Sequence, residues 1–263
     1  MTGFLFKKFF YDLWDNLFFI TVLNFGLLVS LFLVFLTLQY MFPALTIAGI
    51  IVLAVLVFWI FVYLCAVESV HKEISDYHHP VFADFLANLK GAFLPAAVLF
   101  AAAALIFYVL FAAVPAYLST GSLAGMAAAF FSCWICLFVI SSIQFYPAVY
   151  YRLGMRPLKC LKKCFLICFD NTGFCFFTLV VNIFFTLLFS PCWSLLYLDE
   201  ALRLRLLKYD WLEAQAAKLP ENDPPLKQGR AFGKKIPWNE LLAEEKENTG
   251  TRNLKAFFLP WKE

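Results

Sequence analysis

The sequence predicts an all-α, polytopic transmembrane helical bundle, and three observations carry that reading. Of 263 residues, 63% are hydrophobic and 15% charged, whereas water-soluble domains run near half apolar and about a quarter charged. Four uncharged stretches exceed the roughly 20 helical residues that a bilayer core of about 30 Å requires. Basic residues occur only in alternate links between those stretches. The 33 Phe residues suit side chains that face lipid and fill gaps between helices.

The four stretches are residues 17–40, 44–67, 92–118 and 123–151. A fifth begins at Phe174 and is broken at Ser190-Pro191-Cys192, because Pro lacks the backbone donor and clashes with the preceding turn. It is expected to end as a span at Phe189. The first span follows a short basic region with no small-residue cleavage site, so it is expected to stay in the mature protein.

The links fix an expected orientation. Lys7 and Lys8 precede the first span, Lys72 and Lys90 lie between the second and third, and Arg152, Arg156, Lys159, Lys162 and Lys163 lie between the fourth and fifth. Links 41–43, 119–122 and 190–192 carry no basic residue. The positive-inside rule then puts the amino terminus in the cytoplasm. Arg203, Arg205 and Lys208 put the carboxy-terminal tail there too, which demands a sixth crossing. That crossing starts near Cys192 and includes Asp199, Glu200 and Arg203, charges that are costly at mid-membrane. About six spans with a short sixth is therefore the expectation, and five spans with an external tail is the runner-up.

Each hairpin of spans is preceded by an amphipathic stretch expected to lie in the inner interface. In residues 4–16, Lys8, Asp12 and Asp15 oppose Phe6, Phe9, Phe10 and Leu13, while residues 80–91 and 157–170 both open with Pro, a favoured first helical residue. The pattern Phe18-Phe19-x-x-Val22-x-Asn24 also recurs as Phe176-Phe177-x-x-Val180-x-Asn182, after Asp15-Asn16 and Asp170-Asn171.

The opening aromatic helix into Val22-Leu23-Asn24, the run Phe82-Ala83-Asp84-Phe85, and Phe145-Tyr146-Pro147 followed by Pro157-Leu158 and the helix from Lys162 to Phe169 resemble the YesL-like bacterial integral membrane proteins. The resemblance covers roughly residues 3–200. It implies a helical membrane protein of unknown biochemical role, often encoded beside carbohydrate uptake systems of the ABC type. The charged sixth element and the tail depart from that pattern.

By composition the chain divides into a bundle, residues 1–212, and a cytoplasmic tail, residues 213–263. The tail reads as a Pro-rich and charged linker over 219–235, a short helix over 237–248, and an aromatic segment over 253–261. Phe257, Phe258 and Trp261 in that segment are expected to dock on the bundle or on a partner.

Candidate chemistry is sparse. Cys133-x-x-Cys136 lies inside an apolar span, and Cys160, Cys164 and Cys168 share one helical face. A zinc site needs four convergent ligands and supporting contacts, so these cysteines are expected to pack as small apolar residues, and no metal or cofactor is expected. Glu68-x-x-His71, with His78 and His79, has no second such motif to complete a bundle metal centre, and a solvated loop is expected there. Phosphate-loop, serine-hydrolase and zinc-protease motifs are absent from the sequence, and the basic residues are accounted for by topology, which argues against an enzyme and against nucleic-acid binding.

Polar residues in the inward halves of the even spans form the candidate cluster: Glu68, Gln144, Tyr146, Tyr150, Asp199, Glu200 and Arg203. Asp199 and Arg203, four apart, are expected to pair. The function expected is that of a non-catalytic accessory or assembly protein of the inner membrane, in contact with the lipid bilayer and a membrane transport complex such as a carbohydrate ABC-type uptake system. The alternative is a small secondary transporter with an inward-facing polar pocket.

Overall fold

The structure, a computed structural model, describes residues 2–41, 47–217 and 236–250. Among them every regular element is helical. The helices are α1 (Thr2–Asp15), α2 (Leu17–Leu36), α3 (Ile47–Ser75), α4 (Phe82–Tyr108), α5 (Val114–Ser119), α6 (Leu123–Ile143), α7 (Tyr146–Leu153), α8 (Pro157–Asp170), α9 (Thr172–Leu188), α10 (Pro191–Ala217), α11 (Trp238–Leu241) and α12 (Ala243–Thr249). Single π-helical turns, Thr37–Met41 and Val109–Ala113, extend α2 and join α4 to α5.

Among the described residues, four helical runs are long and apolar enough to cross a membrane: Leu17–Met41, Ile47–Ser75, Phe82–Ser119 and Leu123–Leu153. A fifth is reached if α8 and α9, bent by 107°, count as one span. Large apolar side chains such as Phe25, Phe107, Phe111, Phe131 and Leu187 are exposed along these runs, the arrangement expected when lipid rather than water covers the surface.

By contact the chain forms two compact units, Asn16–Asp199 and Met1–Asp15 with Glu200–Glu263. The composition change expected at 213 falls inside the second.

In the unit Asn16–Asp199, α3 packs on α2, α4 and α7, while α8 packs on α6, α7 and α9. Close approach of α2 and α3 depends on Gly26: a Cβ there would fall on the Tyr63 hydroxyl, which donates to the Leu23 carbonyl at 2.6 Å. The fourth span breaks between α6 and α7, with Pro147 in the first turn of α7. The Gln144 side-chain amide donates at the break to the Ser141 carbonyl (2.9 Å) and across to the Cys175 carbonyl of α9 (3.0 Å). Pro191 starts α10 immediately after the turn at Ser190, where the proline signal put a break.

The amphipathic stretches divide. Helix α8 is separate, with Cys160, Cys164, Ile167 and Cys168 buried and Lys159, Lys162 and Lys163 exposed. Residues 80–91 do not form a helix of their own, because α4 runs unbroken from Phe82 through Gly91 into the third span. A single Gly does not end a helix whose neighbours all favour one. Helices α1 and α8 are equal in length, 14 residues, and each ends in Asp followed by an Asn outside helical geometry, Asn16 (φ −113°, ψ 19°) and Asn171 (φ −135°, ψ 43°). In this frame Phe18 is second in α2 and Phe176 fifth in α9. The two copies of the Phe-Phe pattern therefore sit at different positions along their helices.

In the other unit α1 buries Lys8 and Asp12 of the expected polar face together with Leu5, Phe9 and Leu13, and leaves Asp15 exposed. Lys8 is fully buried, with Nζ 2.5 Å from Asp12 Oδ2 and 3.0 Å from Glu200 Oε1, while Phe10 and Trp14 are exposed. Residues 237–248 form two short helices with a turn at Leu242. Arg203 Nη2 lies 2.8 Å from Glu245 Oε1, and Lys7 Nζ donates to the Gly250 carbonyl at 3.1 Å. Linker 219–235 and the residues Phe257, Phe258 and Trp261 lie outside the described residues.

Candidate functional site

Three helices end their apolar runs in polar residues that converge inside the unit Asn16–Asp199. Helix α3 does not stop at Val67 but continues to Ser75, so Glu68 and His71 are buried in a helix rather than placed in a solvated loop. His78 and His79 remain exposed. The α3 terminus turns at Tyr77, whose φ of 63° is a left-handed geometry usually left to Gly. That turn presents Asp76 beside the end of the helix.

Arg152, in the last turn of α7, occupies the centre. Its Nε donates to Asp199 Oδ1 at 2.7 Å and its Nη2 to Asp199 Oδ2 at 2.5 Å, a two-pronged fit of a planar guanidinium on a carboxylate. Nη1 donates to Asp76 Oδ1 at 3.1 Å, and Nη2 also reaches the Ser75 hydroxyl. Ser75 Oγ in turn donates to Asp199 Oδ2 at 2.5 Å. One guanidinium therefore ties the ends of α3 and α7 to α10, with Asp199 fully buried.

Glu68 and His71 lie beside this knot. Glu68 is within electrostatic reach of Asp199 and Arg152, and its Oε2 is 3.9 Å from His71 Nδ1, beyond hydrogen-bond distance. The rings of Tyr146, Tyr150 and Tyr151 meet in sequence, the first pair tilted with centroids 6.3 Å apart and the second edge-to-face at 5.3 Å, and Tyr151 is within reach of the Glu68 charge.

A cleft of about 340 Å³ lies between α3, α4, α6, α7, α9 and α10. Its lining is mostly apolar, Phe61, Leu64, Leu99 and Ile140 among others, with one polar strip of Gln144, Asn182, Thr186 and Ser194. Thr186 Oγ1 donates to Ser194 Oγ at 3.0 Å, and Asn182 Nδ2 approaches Gln144 Oε1 at 3.5 Å.

The cleft and the charged knot are stacked. Leu64, Pro147 and Leu195 line the cleft, and the residues four positions on are Glu68, Tyr151 and Asp199. On a helix that is the same face, roughly 6 Å further along the axis. The knot thus lies about one helical turn beyond the cleft, toward links 76–81 and 154–156.

Of the residues predicted from sequence, Glu68, Tyr146, Tyr150 and Asp199 gather here, and Gln144 lines the cleft. Glu200 and Arg203 belong to the other unit, with Lys8 and Glu245 as partners. The expected Asp199–Arg203 pair is absent: Asp199 faces Arg152, because positions four apart on one helix meet only when no better-placed partner turns either side chain away. Arg152, Ser75 and Asp76 were not among the expected site residues, and His71 was expected in a solvated loop. The signal for Arg152 was its position, the first charge after the apolar run of the fourth span. All eight cysteines are free thiols, and among the described residues no cluster of three or more His, Cys, Asp or Glu side chains could hold a metal ion.

Among the described residues, then, the fold is all-helical, with four helices, or five if the bent pair is one span, long and apolar enough to cross a membrane, and with a charged centre buried in the unit Asn16–Asp199. No protein-family model, curated protein or solved structure matches the chain.

Proposed function

We propose that this chain is a small permease-like protein of the bacterial inner membrane, of the YesL-like type, which binds a small neutral solute in an inward-facing pocket. Both termini are cytoplasmic in this reading, on the distribution of basic residues, and α10 supplies a short sixth crossing. The single observation that carries the reading is the stacking of the cleft on the Arg152–Asp199 knot. A volume near 340 Å³ lies within the range of small-molecule sites, which are mostly apolar with a few placed polar groups. Amide and hydroxyl groups without a charge suit an uncharged solute bearing hydroxyl or amide groups. The Arg152 knot is the closure on the cytoplasmic side.

The second reading, an accessory or assembly protein of a carbohydrate ABC-type uptake system, is favoured by α8. Its exposed surface combines Lys159, Lys162 and Lys163 with Leu158, Leu166 and Phe169, suited to contact with the bilayer surface and a neighbouring complex. Thermal unfolding of the full chain in lipid nanodiscs, with a panel of neutral sugars, polyols and amides, separates the two. Stabilisation by one solute that is lost in Q144A and N182A supports the pocket. No stabilisation, together with recovery of a transport complex in mild detergent, supports the accessory role.

A further inference from the structure

Glu68 and His71 are buried one turn apart on α3, with side-chain exposures of 1% and 0%. Glu68 Oε2 and both His71 nitrogens have no hydrogen-bond partner. The hydroxyls of Tyr146 and Tyr151 are likewise buried without one. The guanidinium that could neutralise Glu68 is already engaged, with Asp199 on two sides and Asp76 on the third.

We propose that Glu68 and His71 hold one proton between them, making the closure of the cleft a proton-binding site. With no proton, Glu68 is a buried carboxylate without a cation of its own. With two, His71 is a buried imidazolium without a counter-ion. With one, the pair is either a neutral acid beside a neutral imidazole or an ion pair, and both states are neutral overall. A proton needs no cavity, and closing the 3.9 Å separation by about 1 Å gives a normal hydrogen bond.

The surrounding groups leave the titration to this pair. Within electrostatic reach of Glu68 are Tyr151 and Arg152 on α7, with Tyr146 and Tyr150 beside Tyr151, and on α3 itself Cys65. Asp199 on α10 and Asp76 after α3 are bound to Arg152. Thiols and phenols are ordinarily neutral at pH 7 and Arg is always charged, so the carboxyl–imidazole pair is the member left to exchange a proton. Release of the proton sets the Glu68 carboxylate against Asp199 with one guanidinium between them, and the Arg152–Asp199 grip loosens. The inference stands apart from the solute reading, since an accessory protein could use the same switch.

Infrared pH-difference spectra of the full chain in nanodiscs test it, comparing wild type with E68Q and H71Q. The expected result is one carboxyl band that titrates in wild type, is missing in E68Q, and shifts in midpoint by a pH unit or more, about tenfold in proton affinity, in H71Q. A titrating carboxyl band unchanged in E68Q, or a midpoint unmoved in H71Q, overturns the proposal. If either variant fails to fold, nitrogen-15 signals of His71 in wild type decide, with exposed His78 and His79 as references. A His71 transition at the pH of the carboxyl band supports one shared proton, and independent transitions overturn it.

Discussion

Arg152 holds Asp199 by two parallel hydrogen bonds, 2.7 Å from Nε to Oδ1 and 2.5 Å from Nη2 to Oδ2, across a sequence separation of 47 residues. Their side chains are 9% and 0% exposed. Removing one partner of such a pair strands a buried charge, which typically costs about 3–5 kcal/mol. R152A is therefore expected to lower stability by about that much, and R152A with D199A by less, as measured by unfolding in mixed micelles. R152K is expected to recover only part of the loss, because an ammonium cannot span both carboxylate oxygens.

Double-mutant cycles separate this pairing from the helical i, i+4 pairing. Asp199 has Arg152 as partner and Arg203 has Glu245, so D199A and R203A are expected to add within about 0.5 kcal/mol. Each of the pairs Asp199 with Arg152 and Arg203 with Glu245 is expected to couple by about 0.5–3 kcal/mol.

How much of this could be read from the sequence depends on the range of the interaction. Hydropathy marked the spans because burial in lipid acts residue by residue, and Pro191 marked its turn because its effect is local. Cys160, Cys164 and Cys168 revealed their shared buried face through spacing alone. The partner of Asp199 was hidden, since choosing Arg152 over Arg203 requires knowing that the end of α7 lies beside Asp199 of α10. Lys8 and Asp12 misled for a related reason: a polar stripe reads as solvated until a second buried carboxylate, Glu200, is brought to it. Glu68 and His71 misled because the helix does not stop where the hydrophobic run stops.

Lys8 sits between two carboxylates, 2.5 Å from Asp12 and 3.0 Å from Glu200. K8A leaves two buried acids facing each other without their shared cation, whereas E200Q leaves Lys8 with Asp12. K8A is expected to be the more damaging by at least about 1 kcal/mol, read as a lower unfolding midpoint.

Gly26 gives the Tyr63 ring its approach to α2. G26A is expected to cost about 1–3 kcal/mol through overpacking, and part of that cost should vanish in the Y63F background, where the hydroxyl the new methyl would meet is gone. Y63F alone should cost about 0.5–1.5 kcal/mol for the hydrogen bond to Leu23. Unfolding midpoints of the three variants check both values.

The most direct test of the claim that the Arg152–Asp199 pair closes the cleft is the labelling rate of S194C. Inside-out vesicles are treated with a membrane-impermeant maleimide and modification at position 194 is quantified by peptide mass spectrometry, which separates it from the eight native thiols. Slow labelling with Arg152 intact, and labelling at least about tenfold faster in R152Q, corresponding to about 1.4 kcal/mol of closure, is the predicted result. Equal rates in the two backgrounds, with both proteins folded, would contradict the account.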